Sequence, residues 1–195
     1  VNLIVGGVCR LPIVEELTIL RERLKSGVDL ARDTLSWVSS FSFPQFSEEY
    51  IFLSLSVPGS YPLTEGKLMT NRQWSLDERS FGSIIVEEQL SYSNALASTI
   101  GLLHERYITG PLARFGLNGK FLPESILSEI KDHSIPLPCN NPFRSIQIRA
   151  IEVLFACSEA LTIVEELIKT IPTKIADKAK NLKIRAGLGI GITEA

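Results

Sequence analysis

A chain of 195 residues can hold one sizeable core or at most two small domains, and 45% hydrophobic with 22% charged residues excludes a disordered protein. A formal net charge of −2, with Lys and Arg scattered among acids, gives no pull toward nucleic acid or anionic lipid. No apolar run approaches the roughly 20 residues that cross a bilayer, and Cys9, Cys139 and Cys157 lack the spacing of a disulfide framework or zinc site, so a cytoplasmic chain without a membrane span is expected.

Val1 stands at the start of an apolar run with no Met and no basic leader, and it is expected to mark a cut start. "LIVGGV" at 3–8 reads as a short strand closing in a tight turn. From Pro12 the period changes: Val14, Leu17, Leu20, Leu24, Val28, Ala31, Leu35 and Val38 recur at steps of three and four, with charges between them. This predicts a long amphipathic helix over 12–40, with Pro12 and acids in its first turn. "YIFLSLSV" at 50–57 and "GKLMTNRQWSLD" at 66–77 predict short strands, the second folding back at its central Asn-Arg-Gln.

Over 78–108 the spacing of Ile84, Ile85, Leu90, Leu96, Ile100 and Leu103 predicts two short helices separated at "SYSN". Gly, Pro and Asn are dense in "TGPLARFGLNGKFLP" at 109–123, which predicts a loop, and "PESILSEIKDH" at 123–133 predicts a short helix. "IPLPCNNP" is extended, since residues before Pro avoid the helical region. Asn141 and Pro142 then cap and open a second long helix over 142–171, whose apolar residues are wide enough to predict burial on more than one side. The fold class expected is mainly α with a minor β component (α+β): two long buried helices in a bundle, short strands at the edge, and residues 1–195 as a single segment.

Local chemistry is sparse. The terminal "GLGIGITEA" spaces Gly187, Gly189 and Gly191 as G-x-G-x-G, not G-x-G-x-x-G, which favours a glycine-relieved strand close to another backbone over a nucleotide loop. His104 and His133 have no metal-ligand spacing, and His104 is read as a half-buried helical residue with one hydrogen bond. There is no G-x-S-x-G elbow and no phosphate-loop lysine. "GPLAR" at 110–114 differs, because a Gly-Pro turn there presents the permanent charge of Arg114. Two readings stay open for it, an anionic ligand or a salt bridge to a glutamate of one of the helices.

Several segments, in order along almost the whole chain, resemble the large catalytic subunit of [NiFe] hydrogenases, most closely the soluble cytoplasmic branch. They are "VNLIVGGVCRLP", "YPLTEGKL", "YITGPLARFGLN", "NNPFRSIQIRAIEVLFACSEAL" and "RAGLGIGITEA", and "GPLAR" with the later Arg-Ala-Ile-Glu helix is the more specific part. The resemblance covers only the middle of the family's sequence. It implies reversible dihydrogen oxidation at a nickel–iron centre, with electrons passing to an iron–sulfur small subunit. The family's metal ligands are two C-x-x-C pairs, soft donors suited to nickel and iron, and this chain has neither pair, so no metal is expected on the segment itself.

In the family the terminal Glu-Ala precedes a Pro-Arg-Gly whose arginine reaches over the metal. By resemblance, Glu194 and Arg114 are then candidate residues around the centre rather than ligands to it. An alternative carried by the same likeness is a non-catalytic relative, a subunit-contact or quinone-site scaffold as in respiratory complex I. A third reading is an unrelated helical interaction domain. Apolar surface left open on the isolated segment is expected to make it self-associate.

Overall fold

Two helices of 26 residues each carry the apolar periodicity read from the sequence, α1 over Val14–Ser39 and α5 over Ser145–Thr170. The computed structural model describes residues 3–4, 7–8, 10–72, 75–76, 78–101, 104–170, 186–187 and 191. Among them, in chain order, lie β1 (Leu3–Ile4), β2 (Gly7–Val8), α1, β3 (Ile51–Ser56), β4 (Lys67–Thr70), β5 (Ser75–Leu76), α2 (Phe81–Ile84), β6 (Ile85–Gln89), β7 (Leu96–Ile100), β8 (Tyr107–Ile108), α3 (Pro111–Asn118), α4 (Glu124–Asp132) and α5. The mainly helical α+β class is therefore the observed one. No helix among the described residues is long and apolar enough to cross a membrane.

α1 begins at Val14, two residues after the start predicted at Pro12. The Glu16 carboxylate accepts the Ile13 N–H at 3.2 Å and a fork from Arg10 at 2.7 and 2.8 Å, satisfying a backbone donor the helix cannot. α1 and α5 run antiparallel: the Gln147 amide, early in α5, donates to Ser39 at the end of α1, and Gly27 sits beside Cys157 further along. The two helices pack along much of their length, and Leu17, Ala31, Leu35 and Val38 of α1 and Ile148, Ala150, Ile151, Leu154, Phe155 and Val164 of α5 are all buried. α5 also packs on α3 and α4, which makes it the central helix. It is buried on more than one side, as expected, with Ile148, Ile151, Leu154 and Phe155 all enclosed, but part of its apolar surface stays open. Ile146, Val153 and Ile163 are exposed, because nothing among the described residues packs there.

β3 is the spine of the sheet, whose strand order is β5-β4-β3-β8. β4 pairs antiparallel with β3 from Leu53 opposite Thr70 to Ser56 opposite Lys67, and β8 pairs parallel, with Ile51 opposite Tyr107. Period-two alternation sends Phe52 into the helical core while Ile51, Leu53 and Leu55 meet Leu68 and Ile100 on the other face. The fold-back at Asn71 follows the sequence reading, and its side chain secures it by accepting the Phe52 N–H at 3.0 Å and donating to the Tyr50 carbonyl at 2.8 Å. The start of the chain forms a small hairpin of β1 and β2 rather than one strand.

Two expectations are corrected. The two helices expected over 78–108 are a one-turn helix, α2, and a β-hairpin in which Ile85 pairs with Ile100 and Gln89 with Leu96. Ile85, Val86 and Thr99 are stiff at the first side-chain torsion and favour the pleat, and "SYSN" is the hairpin turn, closed by the Ser93 N–H on the Leu90 carbonyl. The loop expected at 109–123 contains α3, followed by a single 3₁₀ turn at Gly119–Phe121. Gly110, at φ 76°, makes the left-handed entry, and Pro111 occupies the first helical position, where its missing N–H costs nothing. Gly116 is not a helix breaker here but a contact point. A Cβ on it would lie 2.5 Å from the Phe52 ring, so only glycine lets α3 lie this close to β3.

Candidate functional site

The "GPLARFGLN" stretch acquires its meaning from the way α3 is placed. Arg114 sits in its first turn, with its N–H on the Gly110 carbonyl at 2.9 Å, and its side chain crosses to α5. There Nε donates to Glu152 Oε1 at 2.6 Å and Nη2 to Oε2 at 3.1 Å, a bidentate fork in which the two side chains are 7% and 11% exposed. Tyr61 adds a third donor, its hydroxyl 2.6 Å from Oε1, while its ring stands edge-on to Phe155 at 5.4 Å. Burial and the adjoining Glu152 carboxylate push the Tyr61 phenol far above its ordinary pKa, so it remains a donor throughout the working pH range.

One helical turn further on, Asn118 ties α3 to the sheet. Its Nδ2 donates to the Leu55 carbonyl at 2.9 Å, and its Oδ1 accepts from the Ser56 hydroxyl at 2.8 Å. Arg114 and Asn118, spaced i and i+4, thus fasten one short helix to the central helix and to the central strand. Both are buried, and Asn118 fully so.

Of the two readings open for Arg114, the structure realises the salt bridge, and the acid is the Glu of the Arg149-Ala150-Ile151-Glu152 run. Glu152 and Tyr61 were not singled out from the sequence. A signal existed for the first, as the lone acid in the otherwise apolar stretch from Ala150 to Ala156. None existed for Tyr61, which reaches the network through the loop after β3.

On the other side of Gly116 and Phe52 opens a cleft of about 310 Å³, bordered by Glu49, Asn71, Arg72, Pro138 and Asn140. Its arginine is already paired with Glu105 at 2.7 Å, and the Asn71 side chain is spent on the Phe52 N–H and the Tyr50 carbonyl, so the polar rim is largely structural.

The remaining sequence candidates stay apart. His104 lies in the turn between β7 and β8, at φ 50°, exposed and hydrogen-bonded to Thr99; it is not on a helix, because the region is a hairpin. His133 ends α4 against Ser36 and the Glu129 carbonyl. Cys139 is buried, its thiol pushed up by desolvation, and Cys157 is half-buried against α1. Among the described residues no three His, Cys, Asp or Glu side chains converge as a metal site.

Glu194 and Gly189 lie outside the described residues. At Gly187 and Gly191, which are described, no atom of the described residues beyond their chain neighbours lies within 4 Å of where a Cβ would stand.

The architecture defines an α+β protein in which a short helix is bolted between a helical pair and a small sheet. Comparison with known proteins finds no family model that matches the chain and no significantly similar curated protein.

Proposed function

We propose that this chain is the central scaffold of a hydrogenase-type catalytic subunit, acting in the cytoplasm beside an iron–sulfur small subunit. The observation that supports it is the Arg114–Glu152 fork: the two segments in which the resemblance is most specific, "GPLAR" and the Arg-Ala-Ile-Glu run, meet in one buried ion pair. In that reading the pair fixes α3 against α5, and the thiolates that would hold nickel and iron come from C-x-x-C pairs outside residues 1–195. Arg114 serves by position, and Glu194 would stand at the lip of the metal pocket.

The test joins residues 1–195 to flanks carrying both C-x-x-C pairs, together with the small subunit, and assays dihydrogen-dependent reduction of a dye. Activity is the expected result. A protein that binds a quinone analogue and shows no response to dihydrogen belongs instead with the quinone-site scaffolds.

A further inference from the structure

The outward side of α5 repeats in steps of three and four along its whole length. Ile146, Val153, Ala160 and Leu167 recur every seven residues, and Ala156 and Ile163 fall between them. Arg149 and Thr170 complete the series near its two ends. This is the a and d spacing with which one helix receives another, and it is distinct from the Ile148, Ile151, Leu154 and Phe155 side that α5 buries in the core. Val153 is 51% exposed and Ile163 52%, values unusual for residues in such a register.

The flanks of the seam are unequal. One flank holds Ala150, Cys157 and Val164, turned toward α1. The other holds Glu152, Glu159 and Glu166, again seven apart. Glu152 is occupied by Arg114 and Tyr61, whereas Glu159 and Glu166 are exposed and form no ion pair with any described residue.

We infer that this face docks an amphipathic helix whose apolar seam is flanked by lysine or arginine. The spacing asks for a helix rather than a strand, and one crossing α5 at a shallow angle, since only that geometry keeps a seven-residue repeat in contact over roughly 36 Å. The acidic row selects the sign of the partner. A second copy of this chain is disfavoured by the same row: in an antiparallel pair centred on the seam Glu159 would face its own symmetry mate, placing like charges together, while Glu152, held by Arg114, could offer no compensating partner. In a parallel pair the row would have to meet the flank that α1 already occupies.

The experiment uses the full 195-residue chain and a fluorescein-labelled synthetic peptide of about 25 residues, enough to match the seam, with Leu at seam positions and Lys at both flanks. A control peptide carries Glu at the flanks. Fluorescence anisotropy is expected to show the Lys peptide binding at least roughly tenfold more tightly at low salt, the advantage shrinking as salt rises. Val153→Glu with Ile163→Glu is expected to abolish binding while circular dichroism stays unchanged, both sites being exposed. Glu159→Lys with Glu166→Lys is expected to reverse the preference between peptides.

Equal binding of the two peptides, or binding indifferent to Val153→Glu with Ile163→Glu, overturns the inference. So does a chain that sedimentation shows to be a dimer and that the same double substitution makes monomeric, because a second copy would then be the occupant.

Discussion

Replacing Arg114 by Met removes one half of a buried pair and leaves the Glu152 carboxylate in a desolvated site, with the Tyr61 hydroxyl as its remaining side-chain donor among the described residues. The expected loss is about 3–5 kcal/mol in urea unfolding. Tyr61→Phe should cost less, about 1.5–3 kcal/mol, because it deletes one hydrogen bond to a charged group and leaves the fork intact. Gly116→Ala and Gly119→Ala form a second contrast. At Gly116 the new methyl meets the ring of buried Phe52 at 2.5 Å, whereas at Gly119 its closest contact is the Leu137 Cδ1 at 2.6 Å, the end of an exposed side chain that can turn away, and the buried Phe115 ring stands back at 3.2 Å. Gly116→Ala is expected to destabilise by about 1–3 kcal/mol, and Gly119→Ala by clearly less in the same unfolding assay. At this scale the sequence showed that Arg114 was presented on a fixed turn but not to what. Pairing between residues 38 positions apart depends on how α3 crosses α5, and no local spacing encodes that crossing.

Among the elements, α1 shows how a helix end written in the sequence becomes a pH-dependent one. Arg10 first, and then the Ile13 N–H, hold the Glu16 carboxyl down at about 2 from its usual 4.5. A depressed carboxyl contributes stability that is complete above its unfolded pKa and is lost as pH falls through the folded one. Amide protection in the first turn of α1 should therefore fall between about pH 4.5 and about pH 2, and Glu16→Gln should remove that dependence. Equal protection of the wild-type turn at both ends of this range would contradict the assignment.

The long helices were legible because a period of 3.6 sustained over 26 residues has no competing interpretation. The β6–β7 hairpin was not, since its strands are mostly exposed and their sparse apolar residues fit a helical spacing as well as a pleated one. α3 was missed for another reason. Its glycines are there for the entry turn and for contact with Phe52, so signals that usually break helices here serve tertiary packing.

At the scale of the whole molecule, α3 and its two polar clamps join a helical pair to a sheet, and each half has its own apolar cluster. A brace of this kind suits a body that keeps distant segments in register, which is the role proposed for it. The α+β class followed from the mixture of periods along the chain, whereas the solvent-facing side of α5 did not, because apolar width alone does not tell a buried face from one awaiting a partner.

Nickel content tests the central proposal most directly. In residues 1–195 joined to flanks bearing both C-x-x-C pairs, and matured in a host that assembles nickel–iron centres, elemental analysis should find about one nickel per chain, as the implied thiolate donor set requires. The flanked protein with Arg114→Met should retain less. A folded flanked protein without nickel would contradict the hydrogenase reading.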